Sequence, residues 1–236
     1  MTRSKNMKTL LTASALAFAS SAAIAQDLSI TVTNLTQGLH FTPLLTSAHT
    51  SDSHIFMVGN VASVELQAMA EGGDISGLVS MLSNADANSS ENPVGGLLAP
   101  GMSTTYTLTN DSANTHLSMT AMILPSNDGF VGLDGWKIPT EAGTYTIMLN
   151  AYDAGTEANN EIINGGGAPG VLGIPAAPSG GSGTDGMGVT DMESNTMVHI
   201  HRGNLGDDDM EGGKSDLNNS IHRWLNPVAK LTVTIQ

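Results

Sequence analysis

Two stretches at opposite ends of the chain alternate apolar and polar residues with a period of two. In D-L-S-I-T-V-T-N-L (27–35), Leu28, Ile30 and Val32 share one side, and Ser29, Thr31 and Thr33 the other. In P-V-A-K-L-T-V-T-I-Q (227–236), Ala229, Leu231, Val233 and Ile235 share a side. A period of two sends successive side chains to opposite faces, and Thr on the outer face marks a half-buried antiparallel strand. A strand at each end predicts a sandwich closed by its own termini. Further strands are expected over 103–109, 116–124, 130–133, 143–152 and 197–201, each bounded by Gly, Asn or Asp turns. Residues 61–83 break the pattern. Val64 with Ala68, and Leu66 with Met69, have helical spacing. A Gly-Gly pair follows, and Asp74 can cap a second short helix that buries Leu78, Met81 and Leu82. Residues 159–195 are rich in Gly, Pro and Asn, and 203–220 are acidic, so 159–220 reads as a long loop insertion outside the core. The fold class predicted is all-β, an antiparallel sandwich with two short helices and long Gly-rich loops.

The first 25 residues stand apart. M-K-T-L-L-T-A-S-A-L-A-F-A-S-S-A-A-I-A (7–25) has a basic start, an apolar stretch and a small-residue end. That is the pattern of a cleavable signal peptide, with cleavage expected after Ala25 and a mature domain over 26–236. The stretch is short and rich in Ala and Ser for a membrane span, so none is expected, and the protein is expected to be secreted or periplasmic. The chain has no cysteine, so an exported domain of this composition relies on packing, and on bound metal if there is any. Removing 1–25 takes away Arg3, Lys5 and Lys8, leaving 5 of 8 basic residues against all 22 acids, a formal charge of −17. Such a surface repels nucleic acid and anionic membranes and favours cations.

Parity puts Tyr145, Ile147, Leu149, Ala151 and Asp153 on the apolar face of the 143–152 strand. Asp153 therefore points with the core but lies just past its end, in N-A-Y-D-A-G-T-E-A-N-N (150–160). The 116–124 strand runs on into L-P-S-N-D-G, with Asp128 in the turn. Taken singly, each acid is ordinary turn chemistry, because Asp before Gly bonds the local backbone. Together they offer hard oxygen ligands of the kind Ca²⁺ requires. A second candidate site is H-I-H (199–201), which puts His199 and His201 on one side of a strand as a Cu or Zn ligand pair. His222, His116, His49 and His54 are candidates for a third ligand, and the bland alternative is hydrogen-bonded sheet histidines. Met119, Met122, Met69 and Met81 read as core filling. No nucleophile elbow, zinc-protease helix or phosphate loop is present, so no enzymatic activity is expected.

S-M-T-A-M-I-L-P-S-N-D-G-F-V-G-L-D-G-W (118–136) and I-M-L-N-A-Y-D-A-G-T-E (147–157) resemble the spondin domain of F-spondin and mindin. A-S-V-E-L-Q-A-M-A-E-G-G (62–73), A-H-T-S-D-S-H (48–54) and N-P-V-A-K-L-T-V (226–233) are similar to further family segments, in the same order. The resemblance implies an eight-stranded antiparallel β-sandwich with a calcium ion at one end. It assigns ligands to Asp128, Asp153 and the Leu124 backbone carbonyl, and places a further acid near Asp111. Glu157 stands where the family has Asp. The family's cysteines are missing, N-D-G replaces P-D-W, and the 159–220 region is longer. The expected function is an exported calcium-binding module for adhesion or ligand binding at the cell surface or in the periplasm, its partner an extracellular protein or glycan. A periplasmic Cu/Zn-handling protein built on the His pair is the alternative.

Overall fold

Asn150 to Asp153 pair with one neighbouring strand and Gly143 to Leu149 with another, so a single long strand joins two layers. That strand is β8 (Gly143–Asp153) in a computed structural model that describes residues 26–236. The expected signal segment 1–25 lies outside the described residues. Lower β8 pairs with β10 (Ala229–Ile235), which pairs with β1 (Leu28–Asn34), which pairs with β5 (Ser103–Leu108). Upper β8 pairs with β7 (Gly129–Lys137), then β6 (His116–Leu124), β3 (Leu45–His49) and β4 (Asn88–Glu91). All of these pairings are antiparallel. The eight strands form one continuous path whose edges, β4 and β5, come back toward each other. The all-β class therefore holds, with the two layers of the expected sandwich joined edge to edge into a nearly closed sheet.

Two two-residue strands are additional. β2 (His40–Phe41) pairs antiparallel with the end of β6, and β9 (His199–Ile200) lies beside the end of β8. β1 and β10 run in register for their full length, from Leu28 opposite Ile235 to Asn34 opposite Ala229. Their inward residues, Leu28, Ile30, Val32, Leu231, Val233 and Ile235, are almost completely buried. The period-two pattern read at both ends of the sequence is this shared inner face.

Helices α1 (Val64–Gly72) and α2 (Ser76–Asn84) cover the outer side of the β3–β6–β7 region. Ser63 caps α1 by accepting the N–H of Leu66, and Gly73 ends it at φ 74° in the left-handed conformation that glycine tolerates. Asp74 accepts the N–H of Ser76 at 2.9 Å at the start of α2, close to the capping role expected of it. The helices explain why β6 is buried on both faces. Leu117, Met119, Ala121 and Ile123 face the main core, while Met122 and Leu124 join Leu66, Met69, Leu78 and Phe130 in a second core beneath the helices.

The 159–220 segment contains only β9 as regular strand, consistent with its composition. It is nevertheless tied to the domain, by bonds from Gly170 to Glu71, Gly173 to Glu157 and Asn204 to Pro125, and it is folded on itself by carboxylates. Glu161 accepts the N–H groups of Leu205 and Gly206 and the hydroxyl of Ser215. Asp216 accepts those of Ile163 and Gly186, and Asp207 those of Lys214 and Ser215. Carboxylates act here as hubs that gather loop N–H groups in place of a sheet ladder.

Candidate functional site

Antiparallel pairing of β7 and β8 sets Gly129 opposite Asp153, which brings the turn before β7 against the turn after β8. The N–H of Ala154 donates to the carbonyl of Asp128 across this junction. Asp128 lies before β7 and Asp153 ends β8, so two acids 25 positions apart become neighbours. Asp153 is on the inner face, as parity requires, and is 2 % exposed; Asp128 is fully buried and Glu157 is 5 % exposed.

Each carboxylate spends part of its capacity on the backbone. Asp128 Oδ2 accepts the N–H groups of Thr156 and Glu157 and the Thr156 hydroxyl. Asp153 Oδ1 accepts the N–H of Gly155, and its Oδ2 accepts the amide of Asn159 at 2.7 Å. Glu157 Oε2 accepts the amide of Asn127 and the N–H of Gly173. The remaining oxygens, Asp128 Oδ1 and Glu157 Oε1, are buried and without a hydrogen-bond partner. Leaving a buried polar atom unpaired is costly, and more so for a charged one.

No strong base among the described residues neutralises this group. Among the described residues, the close approaches between cations and carboxylates all involve histidine, with none from Lys or Arg within 4.0 Å. His199 Nε2 lies 3.8 Å and His201 Nε2 3.9 Å from Asp153 Oδ2. Burial, and then the Asp153 charge, push the Asp128 carboxyl well above the ordinary carboxylate range. Burial raises Asp153 as well, partly offset by hydrogen bonds from Asn159 and Gly155. Burial also moves Glu157 up to about 7, partly offset by Gly173 and Asn127. These shifts report carboxylates removed from water without a compensating charge.

The other expected ligands fall differently. Leu124 closes β6 opposite His40, one residue before the turn that carries Asp128. Asp111 is not brought to the site. It lies beyond the opposite end of β6, exchanging hydrogen bonds with Asn88 where β4 meets β5. Nine residues of β6 separate the two ends by roughly 26 Å at about 3.3 Å per residue.

The histidine pair does share a side, since both imidazoles reach toward Asp153, but both rings are already engaged. His201 Nδ1 accepts the N–H of Gly203, so the proton resides on Nε2, which donates to Asn159 Oδ1. Burial holds His201 down to about 3, and so neutral. His199 Nδ1 donates to the carbonyl of Met197. His222 Nδ1 accepts the N–H of Asn218. Nor do the other candidates join them: His49 pairs with Ser118, His54 with Asp134, and His116 with Thr115. Among the described residues, no three His, Asp or Glu side chains are gathered tightly enough to enclose a metal ion by themselves.

Sequence reasoning missed Asn127, Asn159 and Asn160, which organise the acids. Asn127 alone bonds Glu157, Asn160 and the N–H of Glu161. The signal available was the clustering of three Asn around two acids in N-D-G and E-A-N-N, which reads as turn composition until the turns are seen to meet.

A nearly closed antiparallel sheet with acids gathered where two strand-end turns meet defines a β-rich domain of a particular kind. The sequence model of the spondin N-terminal domain family matches residues 32–162, more than half of the chain. The chain belongs to the spondin N-terminal domain family, a family of extracellular-type modules. The matched region ends before β9 and β10, although β10 lies inside the sheet path. Among curated proteins, none is similar enough in sequence to be matched. No helix among the described residues is long and apolar enough to cross a membrane.

Proposed function

We propose that this protein is an exported calcium-binding module serving adhesion or ligand binding outside the cytoplasm. The observation that carries the reading is the pair of orphaned buried oxygens, Asp128 Oδ1 and Glu157 Oε1, beside Asp153, with no Lys or Arg among the described residues to neutralise them. A hard divalent cation satisfies both deficits, because it supplies positive charge and accepts oxygen lone pairs. Asp128, Glu157 and Asp153 would hold it, with carbonyl oxygens and water completing the shell, since Ca²⁺ takes six to eight oxygens. The ion's chemistry here is structural: it joins the turn before β7 to the turn after β8. The family supports an extracellular-type module, and the partner is an extracellular protein or glycan.

Isothermal titration of the mature protein with CaCl₂ tests the reading. Stoichiometric binding that is lost in Asp128→Asn and weakened at least tenfold in Glu157→Gln supports it. Absence of binding at millimolar calcium sinks it.

A further inference from the structure

Two acids of the proposed calcium site, Glu157 and Asp153, are bonded to the 159–220 segment, while Asp128 bonds the 156–157 turn just before it. Glu157 Oε2 takes the N–H of Gly173. Asp153 Oδ2 takes the amide of Asn159, which also contacts Glu193 Oε2 and receives the His201 Nε2–H. Asn127 links Glu157 to Asn160 and to the N–H of Glu161. Glu161 in turn holds Leu205, Gly206 and Ser215. The segment is fastened in part at the acids themselves, beside the β8–β9 pairing and bonds from Gly170 to Glu71, Ser179 to Gly38, Asn204 to Pro125 and Val198 to Asn60.

Its apolar burial is small. The buried hydrophobic residues that 159–220 contributes are Ile174, Val198 and Leu217. Three apolar side chains cannot offset the conformational entropy of some sixty ordered residues at about 1 kcal/mol or more each. The order of the segment therefore depends on polar contacts, and many of these converge on buried carboxylates. Without a neutralising ion the acids, once ionised, repel one another in a poorly solvated space. That repulsion is relieved when water reaches them, and the element with the least apolar burial is the one that opens to admit it.

We infer that the 159–201 part of the insertion is a calcium-gated cover: the ion locks it onto the sheet end, and loss of the ion releases it. The inference rests on the calcium reading above. The ion binds better when the second oxygens are held by the insertion, and the insertion closes better when the ion is bound, so the two are reciprocally coupled. For a module of extracellular type, such a cover makes the end of β8 and the 153–157 turn available or hidden according to calcium.

The test is hydrogen–deuterium exchange on the mature chain in CaCl₂ and in EGTA, read beside the calorimetric titration. The expected result is that amides of 159–201 exchange at least tenfold faster in EGTA while those of β1 and β10 do not change. If calcium binds and 159–201 exchanges at the same rate in both conditions, the inference is wrong and the calcium reading stands. If calcium does not bind, both fall. Asn127→Ala supplies an independent arm, because it cuts the link between Glu157 and residues 160–161 without removing a carboxylate. By the same coupling it should weaken calcium binding severalfold, and 159–175 should exchange fast even in saturating CaCl₂. Retention of the full calcium-dependent protection in that variant would overturn the coupling.

Discussion

The Nε2–H of His201 donates to Oδ1 of Asn159 at 3.0 Å, and this contact orients the amide so that its Nδ2 faces Asp153. The imidazole is thus a positioning group for an acid, fixed in one tautomer by the N–H of Gly203 and packed against Trp224. His201→Ala removes two buried hydrogen bonds and leaves a cavity, which should cost about 2–4 kcal/mol. Urea unfolding of the variant measures this. Copper and zinc contents of the protein purified from its native compartment should be the same with and without the substitution. Loss of stoichiometric metal in the variant would revive the Cu/Zn reading.

Asp111 should be irrelevant to calcium. It bonds Asn88 at the β4–β5 edge, and Asp111→Ala should leave the calcium Kd within about twofold while costing at most ~1 kcal/mol of stability. A tenfold loss of affinity would restore the ligand that the family resemblance assigns near that position.

Calcium and protons compete for the same oxygens. The folded-state pKa of Asp128 is raised, so in chelator the native state binds more protons than the unfolded chain between the ordinary carboxylate range and that raised value. Its contribution to stability is then present at low pH and lost as pH rises through the window. Glu157, raised to about 7, acts with the same sign. In EGTA the melting temperature of Asp128→Asn should therefore gain on the wild type as pH goes from 5 to 8. In calcium the sign reverses, because binding needs the ionised forms, so affinity should strengthen over the same range. A pH-independent calcium Kd would contradict the assignment.

Gly155 is the one residue of the D-A-G-T turn with no room for a side chain. It has φ 70°, and a Cβ there would lie 2.7 Å from the backbone carbon of Thr196 and 2.8 Å from the carbonyl oxygen of Asn195. Gly155→Ala should cost about 1–2 kcal/mol for the left-handed conformation, and more for pushing 195–197 away from the turn. Differential scanning calorimetry reads the total. A variant as stable as the wild type would mean that the insertion does not press on this turn.

Much of the sheet was legible because its inner strands repeat one pattern. β1, β8 and β10 alternate, and the burial of Leu149, Ala151 and Asp153 follows the parity read from the sequence. β3 was not foreseen. Its L-T-S-A-H residues are all buried between β4 and β6, so no polar face records its orientation. β7 runs past the expected 130–133 because a bulge at Asp134–Gly135 absorbs a residue opposite β6, and neither Asp nor Gly suggests a strand on its own. The predicted 197–201 strand shrinks to His199–Ile200, since His201 turns inward to Asn159. For the site, Asp128 and Asp153 were found by position along strands. Their orphaned oxygens and the Asn residues that bind them depend on two distant turns meeting, which no local pattern encodes.

Leu28 and Ile235 stand opposite each other at one end of the paired β1 and β10, and Gly143 at the start of β8 faces Ile235 beside them. Asp153 is at the far end of the same β8, roughly 33 Å away at about 3.3 Å per residue. Any tether attached at either end of the 26–236 domain would thus grip it from one pole and leave the sheet end that encloses the acid cluster at the other, away from whatever surface holds it. The same pairing lets a short linker join 236 to 26, so a circular permutant opened in an exposed loop such as 140–142 should keep its strands and simply move the point of attachment.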